Sequence, residues 1–392
     1  MSRLKKLIRQ GYSNRNRVKL VKGGREFFLL LQQMIDKAAH SIHLQYYIFL
    51  DDETGKTIIE ALKKAAARGV AVHLHLDGYA SQGLHQKTVQ EMREHGISVK
   101  WFEPLFKSRH FYFGRRLHHK VVVVDGVSSL IGGINICDRY NDMPGQPAWL
   151  DMAVYCEGEA AYIAYHNCRR MWSKKFTSPS VNWKEVDEFC ESILPGEQTE
   201  VRVRRNDWVK RKVNIWRSYL EMFNKAEKEI HIMCSYFLPG LLYRRKLSQA
   251  VKRGVKVKVI LAGISDIMIA KHAERYLYDW ILKNKIDLYE YQKTVLHAKV
   301  ATYDSTWTTI GSYNINNISA YASLEFNMDL RSNSFAMQTE ALLNDIINNH
   351  SKKITWENYT SSTHFFRRTW QRFCYWFINS VLKLFTFYFK QE

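Results

Sequence analysis

One long motif occurs twice in this sequence, and the duplication constrains the fold more than any other feature does. The first copy, at residues 117–135, reads LHHKVVVVDGVSSLIGGIN, and the second, at 296–314, reads LHAKVATYDSTWTTIGSYN. Six positions recur at the same internal spacing, and five of the six are identical. They are His118/His297, Lys120/Lys299, Asp125/Asp304, Gly132/Gly311, Gly133/Ser312 and Asn135/Asn314. At an average frequency of ~5% per residue type, such agreement by chance would be very rare. The sequence therefore predicts two related halves.

Each copy predicts a strand, a tight turn and a returning strand. Residues two apart on a strand point to the same side, so the histidine and the lysine of each motif are expected to share a face. The valines at 121–124 indicate a strand buried on both faces, and Asp125-Gly126 is typical of a hairpin turn. The returning strand ends in small residues, which let a ligand approach the backbone, followed by an asparagine. Two such modules facing each other would suit displacement at a phosphodiester phosphorus.

The segments around the motifs alternate between helix and strand patterns. Arg68-Gly69-Val70 ends a helix in the first half as Arg253-Gly254-Val255 does in the second, so the repeat covers whole domains. We expect an α/β fold with two tandem, similar lobes, each a sheet flanked by helices, related by pseudo-twofold symmetry with one active site at their interface. The expected divisions are a basic arm at 1–22, a first domain at 23–195, a linker at 196–212, a second domain at 213–355 and an amphipathic membrane-associated helix at 356–392.

The net charge indicates a negatively charged partner but does not distinguish between the possible kinds. A formal net charge of +20 and a pI near 9.6 indicate a polyanion, either nucleic acid or an anionic bilayer. Residues 1–22 carry eight basic side chains and no acid, and they lack an apolar run long enough for a signal peptide or a spanning helix. The six cysteines form no C-x-x-C pair, which favours reduced thiols.

Two aromatic-rich stretches are candidates for contact with a membrane. The first precedes motif one and mixes basic side chains with Trp101, Phe102, Phe106, Phe111 and Phe113. We interpret it as a membrane-facing lip beside the site, with a structural loop packed on its own domain as the alternative.

The second stretch lies near the carboxy terminus, where Phe366, Trp370, Phe373 and Phe377 fall at helical steps opposite basic residues. Its longest uncharged run is ten residues, against the ~20 needed to cross a bilayer. We predict a helix lying in the bilayer interface. The alternative is a helix docked on the protein's own core or on a second subunit.

The paired motifs resemble the phospholipase D superfamily, whose signature is His-x-Lys-x4-Asp followed by Gly-[Gly/Ser]-x-Asn in each half of a bilobal enzyme. Within it, the chain is most similar to bacterial cardiolipin synthases that lack amino-terminal membrane helices. The similarity covers about residues 18–350 and includes YYIFLDDETG, RGVAVHLHLDG and GGINICDRY in the first half, and YFLPG and RGVKVKVILAG in the second.

The resemblance implies roles for the motif residues. One imidazole, usually the amino-terminal one and hence His118, would attack phosphorus to form a phosphohistidine, while His297 would act as acid and then base. Lys120, Lys299, Asn135 and Asn314 would hold the non-bridging oxygens. Asp125 and Asp304 lie on the opposite strand parity, and we interpret them as carboxylates that hold the loop, which also matches the family.

Supporting residues follow from the same resemblance. A catalytic imidazole needs its second ring nitrogen fixed by an acceptor, and family position suggests Glu325 for the second half and Asp151 for the first. Ser312 and Ser319 match further family positions. The family usually continues with Asp and Arg-Ser where this chain has Asn316 and Ile318-Ser319. No metal or other cofactor is expected, because lysine and asparagine supply the charge stabilisation.

The sequence is compatible with three functions. The first is cardiolipin synthesis by phosphatidyl transfer between two phosphatidylglycerols with release of glycerol. The others are hydrolysis of phospholipid or nucleic acid by a phospholipase D-type phosphodiesterase, and lipid binding with weak catalysis. The expected partners are anionic phospholipid (phosphatidylglycerol, cardiolipin) and the membrane surface, while the aromatic tail disfavours nucleic acid. The expected location is peripheral, on the cytoplasmic side of a bacterial inner membrane; no oligomeric state is predicted.

Overall fold

The first half forms a mixed sheet of seven strands. The computed structural model describes residues 11–104, 115–173, 181, 183–210 and 212–385. The strands that precede position 160 are β1 (Asn16–Lys22), β2 (Ser41–Tyr46), β3 (Ala71–Asp77), β4 (Ser98–Phe102), β5 (Arg116–Leu117), β6 (Lys120–Val124), β7 (Ser128–Gly132) and β8 (Met152–Gly158). All except β5 belong to this sheet, in the order β1-β8-β7-β6-β2-β3-β4. Strands β2, β3 and β4 are parallel, and the others run antiparallel to their neighbours.

The second half repeats this sheet. Its strands are β9 (Glu200–Asp207), β10 (Lys212–Val213), β11 (Glu229–Cys234), β12 (Lys256–Ala262), β13 (Asp287–Tyr291), β14 (Lys299–Tyr303), β15 (Trp307–Gly311), β16 (Ser323–Arg331) and β17 (Ser351–Ile354). The order β9-β16-β15-β14-β11-β12-β13 matches the first sheet strand for strand, with β10 and β17 added at the edges. The predicted α/β fold with two similar lobes is confirmed.

Helices cover both sheets. The first half has α1 (Arg25–Lys37), α2 (Glu53–Ala67), α3 (Gln86–Glu94), α4 (Glu159–Trp172) and α5 (Trp183–Glu191). The second has α6 (Asn214–Lys225), α7 (Leu241–Lys252), α8 (Met268–Tyr276), α9 (Tyr278–Lys283), α10 (Asn317–Tyr321), α11 (Asn333–His350), α12 (Trp356–Ser362) and α13 (Phe365–Phe385). Single 3-10 turns lie at Asp138–Tyr140, Pro195–Glu197 and Trp208–Lys210.

The two sheets share one hydrophobic core, which fixes the lobes to each other. Its members include Val121 and Val123 from β6 and Val300, Ile310 and Phe326 from the second sheet. Separate clusters fill the outer layers beneath α1 and α2 in the first lobe and beneath α6 and α7 in the second. Because apolar side chains from both halves are buried together, the lobes form a single packed unit rather than two independent domains.

Two expected divisions differ from the structure. Residues 16–22 of the predicted basic arm form β1, whose Asn16 pairs with Gly158 of β8. Residues 200–207 of the predicted linker form β9, which pairs with β16, and β10 pairs with β9. Both strands carry several charges because each lies near a sheet edge, and that composition is what made them resemble an arm and a linker.

The hairpin turns of the two motifs are equivalent. Asp125 and Gly126 have φ of 51° and 65°, and Asp304 and Ser305 have φ of 52° and 53°, the left-handed pair that a tight hairpin turn requires. The Asp125 carboxylate accepts hydrogen bonds from the backbone amides of residues 39–41. Asp304 does the same with residues 227–229. Both aspartates therefore fix the start of the neighbouring strand.

The carboxy-terminal helix is docked on the protein by one side. Cys374 of α13 is fully buried in a cluster with Ala273 and Leu277, and Tyr375 and Ile378 pack on that cluster. Docking on the protein's own core was the alternative at the sequence level. The aromatic side is exposed nevertheless, by 84% at Phe366, 50% at Trp370, 54% at Phe373 and 47% at Phe377. Among the described residues, no helix is both long and apolar enough to span a bilayer.

The proposed lip is only partly described. Trp101 and Phe102 end β4: Trp101 packs against the first-lobe core, and the Phe102 ring lies 5.8 Å from His75 and 5.2 Å from the Arg115 guanidinium. Both rings are half-buried, so their contact with a membrane stays a prediction. Phe106, Phe111 and Phe113 lie outside the described residues.

Candidate active site

The two histidine motifs lie at the interface between the lobes, where a short segment of each half pairs with a strand end of the other. β5, just before His118, pairs with the start of β16, and the His118 amide donates to Leu324 O at 3.0 Å. In the mirrored contact, Leu296 bridges to Leu150, and the His297 amide donates to Leu150 O at 2.8 Å. Each histidine is thus held by backbone bonds next to the carboxylate-bearing strand of the opposite half.

His118 is oriented by a carboxylate from the second half. Its Nδ1 lies 2.9 Å from Glu325 Oε2, and the Tyr47 ring packs edge-on against it at 4.8 Å. The carboxylate is fully buried and the imidazole 14% exposed. Burial lowers the pKa of His118, Glu325 opposes that change, and the ammonium of Lys120 adds to it. The neutral imidazole is therefore favoured, with Nε2 as the nitrogen that remains for a ligand.

His297 has the corresponding arrangement with a carboxylate from the first half. Its Nδ1 lies 2.7 Å from Asp151 Oδ2, and the rings of Tyr140 and Trp149 lie 5.2 and 6.2 Å away. Burial lowers the pKa of His297 well below its usual value, and the charges of Lys299, Lys120 and His118 lower it further. Burial also raises the pKa of Asp151 to about 6.

The sequence identified the right carboxylates and gave them to the wrong halves. Glu325 was assigned to the second half and Asp151 to the first, whereas each serves the histidine of the other half. The strand pairing between lobes causes this exchange, because β5 lies beside β16 and Leu296 lies beside Leu150. A structure with only one half would lack both histidine–carboxylate pairs.

The motif lysines are buried rather than solvated. Lys120 and Lys299 are only 2% and 1% exposed. Lys120 Nζ donates to His118 O at 3.0 Å and lies 5.0 Å from the Tyr47 ring. Lys299 Nζ lies 3.0 Å from both Ser235 Oγ and His297 Nδ1, and it also donates to His297 O. Each lysine lies beside its own histidine, as the shared strand face predicts.

The charges of the two lysines also interact across the interface between the lobes. Burial lowers the pKa of Lys120 well below its usual value, and the charge of Lys299 lowers it further. Burial lowers the pKa of Lys299, while the Asp151 carboxylate opposes the change. A bound anion would favour the charged form of both lysines, because an opposite charge within a few ångströms stabilises an ammonium.

The motif asparagines are fixed by the chains around them. Asn135 Oδ1 accepts from the Ile48 amide at 3.1 Å, and Nδ2 donates to Tyr140 Oη at 2.9 Å. Asn314 Oδ1 accepts from the Cys234 thiol at 3.5 Å. The Asn314 amide donates to Ser319 Oγ at 3.3 Å, so Ser319 supports the loop that carries Asn314.

The one motif position that differs between the copies is matched to the carboxylate beside it. A Cβ on Gly133 would collide with the Asp151 carboxylate, so this position requires glycine. At the equivalent position in the second half, the Ser312 hydroxyl donates to Glu325 Oε2 and accepts from the Phe326 amide at 3.0 Å. Gly133 with Asp151 and Ser312 with Glu325 are therefore two versions of one contact.

Sequence reasoning missed four residues next to the histidines: Tyr47, Ser235, Tyr140 and Trp149. Tyr47 and Ser235 follow equivalent strands, β2 and β11, so aligning the halves strand by strand would have found them. Trp149 lies two residues before Asp151 in sequence, and nothing in its local pattern separates it from a core aromatic. Its role depends on the fold of the loop between residues 138 and 150.

One group of side chains in the described ranges has the spacing of a metal site, and it lies away from the histidine pair. It consists of Glu229, His231 and Glu340. Lys258 Nζ lies 3.0 Å from His231 Nε2 and 3.5 Å from Glu229 Oε2, while Glu340 accepts from Thr302 and Ser305. Lys258 already supplies the positive charge that a metal ion would bring to this cluster.

Fold and site together define a class of protein: a duplicated α/β protein whose halves each contribute a histidine and a lysine to one site at their interface. The sequence profile of the family described as "Cardiolipin synthase, PLD-like domain" matches residues 31–146 and 219–347. The chain is 33% identical to cardiolipin synthase B of Salmonella typhi over 380 residues, which covers 91% of this chain and 89% of that protein. It is 31% identical to cardiolipin synthase B of Escherichia coli (strain K12) over 375 residues, 90% and 88% of the two chains.

The fold is also that of a solved enzyme structure. The crystal structure of phosphatidylserine synthase from Haemophilus influenzae Rd KW20 superposes with a TM-score of 0.73 over 98% of both chains, at 13% sequence identity. The chain belongs to the family of cardiolipin synthases with phospholipase D-like domains and is a phosphatidyltransferase of the phospholipase D superfamily.

Proposed function

We propose that this protein synthesises cardiolipin by transferring a phosphatidyl group from one phosphatidylglycerol to another through a covalent phosphohistidine. The observation that carries the proposal is the pairing of two buried lysines with two imidazoles from opposite halves. The charge of Lys299 lowers the pKa of Lys120, and the charges of both lysines lower the pKa of His297. A negative charge bound between them would oppose these shifts. A phosphodiester anion would supply the missing charge, and its non-bridging oxygens would accept from Lys120 and Lys299.

The first step breaks the bond between phosphorus and the glycerol head group. Glu325 holds Nδ1 of His118, so Nε2 attacks phosphorus and forms the nitrogen–phosphorus bond. The negative charge of the bound phosphodiester opposes the lowering of the His297 pKa by burial and by the lysines, so His297 takes up a proton when substrate binds. It then gives its Nε2 proton to the departing glycerol oxygen. Glycerol leaves, and the phosphatidyl group stays on His118. Asn135 and Asn314 complete the contacts to the non-bridging oxygens through their carboxamides.

The second step uses the same groups in reverse. Neutral His297 takes the proton from a hydroxyl of a second phosphatidylglycerol, and that oxygen attacks phosphorus as the bond to His118 breaks. Cardiolipin forms, and both imidazoles return to their starting states. Water is the competing acceptor and would give phosphatidic acid. The burial of all four motif side chains disfavours water, since histidine and lysine exposures are at most 14%.

The deciding experiment incubates the purified protein with vesicles of phosphatidylglycerol, with and without phosphatidylethanolamine, and identifies products by mass spectrometry. Cardiolipin and free glycerol in equal amounts support the proposal. Phosphatidic acid without cardiolipin would support the hydrolytic alternative instead. Comparable cleavage of single-stranded DNA would contradict a lipid substrate. A His118→Ala, His297→Ala double variant is the control for contaminating activities.

We further propose that the exposed aromatic side of α13 rests in an anionic bilayer, on the cytoplasmic face of the inner membrane. Phe366, Trp370, Phe373 and Phe377 remain exposed after the helix has docked on α8, and aromatic rings are favoured at the head-group level. The net charge of +20 suits an anionic surface. All six cysteines are buried free thiols, which suits a reducing compartment.

Substituting Trp370, Phe373 and Phe377 together by alanine tests this surface without removing the docked side of the helix. Binding to phosphatidylglycerol vesicles in a flotation assay should fall at least tenfold, while turnover of a soluble phosphodiester stays near the wild-type value. Met337→Ala, which removes a side chain 60% exposed on α11, is the matched control. Equal loss on vesicles and on the soluble substrate would contradict a membrane role.

A further inference from the structure

The loop between residues 135 and 151 builds a guanidinium–aromatic stack beside His297. The Arg139 guanidinium lies 4.9 Å from the Trp149 ring and 5.7 Å from the Tyr140 ring. The Trp149 amide donates to Arg139 O at 2.9 Å, which closes the loop and brings the two side chains together. Both rings also flank His297. The guanidinium carbon of Arg139 lies within about 11 Å of the His297 ring centre. This upper limit follows because the Tyr140 ring centre is 5.7 Å from the guanidinium and 5.2 Å from the imidazole.

Arg139 differs from the other arginines near the site in its lack of an acidic partner. Arg115 pairs with Glu103 at 2.6 Å and with Asp207 at 3.3 Å, and Arg116 lies 3.7 Å from Asp77. Within the described part of the chain, no carboxylate lies within 4 Å of the Arg139 guanidinium, and its buried Nε has no hydrogen-bond partner. Burial opposes its charge, but Tyr140, Cys137 and the more distant Asp266 raise the pKa of Arg139 above its usual value. The guanidinium hydrogen-bonds the Cys137 side chain, but its Nε–H is unused and no carboxylate of the described residues pairs with it.

The equivalent position in the second half carries no charge. Arg139 stands four residues after Asn135, and Ile318 stands four residues after Asn314. Tyr140, the ring that touches both Arg139 and His297, is likewise replaced by Ser319. A guanidinium is therefore placed on the His297 side of the site and has no counterpart from the second motif. The asymmetry suits a reaction in which the two lipids bind differently.

We propose that Arg139 binds the phosphate that the acceptor lipid itself carries. No bond to this phosphate forms or breaks in the reaction. This inference rests on the proposed function: an acceptor phosphatidylglycerol carries its own phosphate one glycerol unit from the attacking hydroxyl. Lys120 and Lys299 serve the reacting phosphorus, so the second phosphate needs another cation. His297 is the base for the acceptor hydroxyl, and Arg139 lies beside it. A guanidinium presents two parallel N–H groups to a phosphate, and the stack on Trp149 fixes its plane in advance.

The test compares two acceptors that differ only in whether they carry an anion near the hydroxyl. Wild-type protein receives phosphatidylglycerol vesicles containing ethanol, and the products cardiolipin and phosphatidylethanol are measured in one reaction. Both require the same phosphohistidine, but only cardiolipin formation uses an acceptor phosphate. For Arg139→Gln, we expect the ratio of cardiolipin to phosphatidylethanol to fall at least roughly tenfold, since a charged hydrogen-bond pair is lost. Arg139→Lys, which keeps the charge, should restore part of the ratio.

Arg331→Gln is the matched control. Arg331 lies 3.9 Å from the Tyr12 ring, at the opposite end of β16 from Glu325, and should leave the ratio unchanged. A wild-type ratio in Arg139→Gln, including a parallel fall of both products, would overturn the inference and leave the proposed function standing. A wild-type protein that makes phosphatidylethanol but no cardiolipin would instead overturn the proposed function. Melting curves of the variants confirm that they are folded.

Discussion

The two halves of this protein preserve the same backbone and differ in the side chains that surround the reacting groups. Seven strands follow in the same order in each sheet, and Asp125 and Asp304 each accept three backbone amides at matching places. Around the histidines, however, Tyr47 replaces Ser235 as the neighbour of the motif lysine, and Tyr140 occupies the position of Ser319.

This difference indicates what the duplication has to preserve. Each half must present an imidazole and an ammonium at one phosphorus, so the strand, the turn and the carboxylate that orient them are retained. Attack and departure at phosphorus are chemically distinct, so the groups that meet the two alcohols need not be alike. The larger aromatic and cationic side chains have accumulated around His297, the proposed acid and base, while the His118 side has Tyr47 and Ser312.

The largest expected effect separates the roles of the two histidines. His118→Ala and His297→Ala should each reduce turnover of phosphatidylglycerol by at least ~10³-fold, because one removes the nucleophile and the other the acid and base. With a p-nitrophenyl phosphodiester, whose leaving group needs no proton, His297→Ala should still release one equivalent of nitrophenol per site and hold the adduct on His118. His118→Ala should give no burst.

Quenching at alkaline pH and mapping the labelled peptide identifies the modified residue. A burst in His118→Ala, with none in His297→Ala, would reverse the roles of the halves. A burst in both variants would contradict a single nucleophile.

The next effect tests the exchanged carboxylates. Glu325→Gln and Asp151→Asn should each lower kcat by ~10²-fold, because an amide cannot stabilise an imidazolium as a carboxylate does. Only Asp151→Asn should also change the pH profile. The kcat of the wild type should fall as pH drops through about 6, because Asp151 becomes protonated. The kcat of Asp151→Asn should show no such fall. The readout is kcat between pH 5 and 8. Near-normal activity in either variant would remove that carboxylate from the site.

Asp151→Asn should also be more stable than the wild type at neutral pH. Burial raises the pKa of Asp151 from 3.8 to about 6, so its ionised form destabilises the folded state. Protonated Asp151 does not carry this cost, so its contribution to the free energy of unfolding is fully present below pH 3.8. That contribution is lost as pH rises through about 6 and Asp151 ionises. By linkage, removing the charge at pH 7.5 should raise the free energy of unfolding by about 1–3 kcal/mol. Denaturant unfolding at pH 7.5 and at pH 5 measures it, and an equal gain at both would contradict the assignment.

A smaller effect is expected where the motif itself differs. Gly133→Ala should displace the Asp151 carboxylate and lower kcat by roughly tenfold or more, since the new methyl group would overlap it. Ser312→Ala removes one hydroxyl donor from Glu325 and should cost up to about tenfold. Kinetics of both variants, with Gly196→Ala in the exposed turn Pro195–Glu197 as control, measure the difference. A larger loss in Ser312→Ala would reverse the comparison.

The smallest effect on activity is expected at the motif aspartates. Asp125 lies five residues beyond Lys120 along a strand, roughly 16 Å away, and its carboxylate is occupied by backbone amides. Asp125→Asn and Asp304→Asn should each lower the free energy of unfolding by about 1–3 kcal/mol and leave kcat within about threefold. Denaturant melts and steady-state kinetics check both. A loss of kcat as large as that of the histidine variants, in folded protein, would make the aspartates catalytic.

Local patterns predicted those parts of the fold that depend on neighbouring residues. The valine run forms β6, and Asp125-Gly126 and the matching residues of the second copy form the tight turns. Composition was less informative for β1 and β9, because charged edge strands resemble an arm or a linker until their partners are known. α13 shows the same limit: its amphipathic pattern was correct, but the docked side could be recognised only with α8 in place.

The sequence by itself determined the duplication, the chemical groups of the site and the local geometry that puts each lysine beside its histidine, because these depend on spacing along one strand. Only the tertiary structure decided that Glu325 orients His118, that Asp151 orients His297, and that Arg139 stacks beside His297 without an acidic partner. Those contacts join residues distant in sequence, and the burial of both sheets against one shared core sets which of them meet.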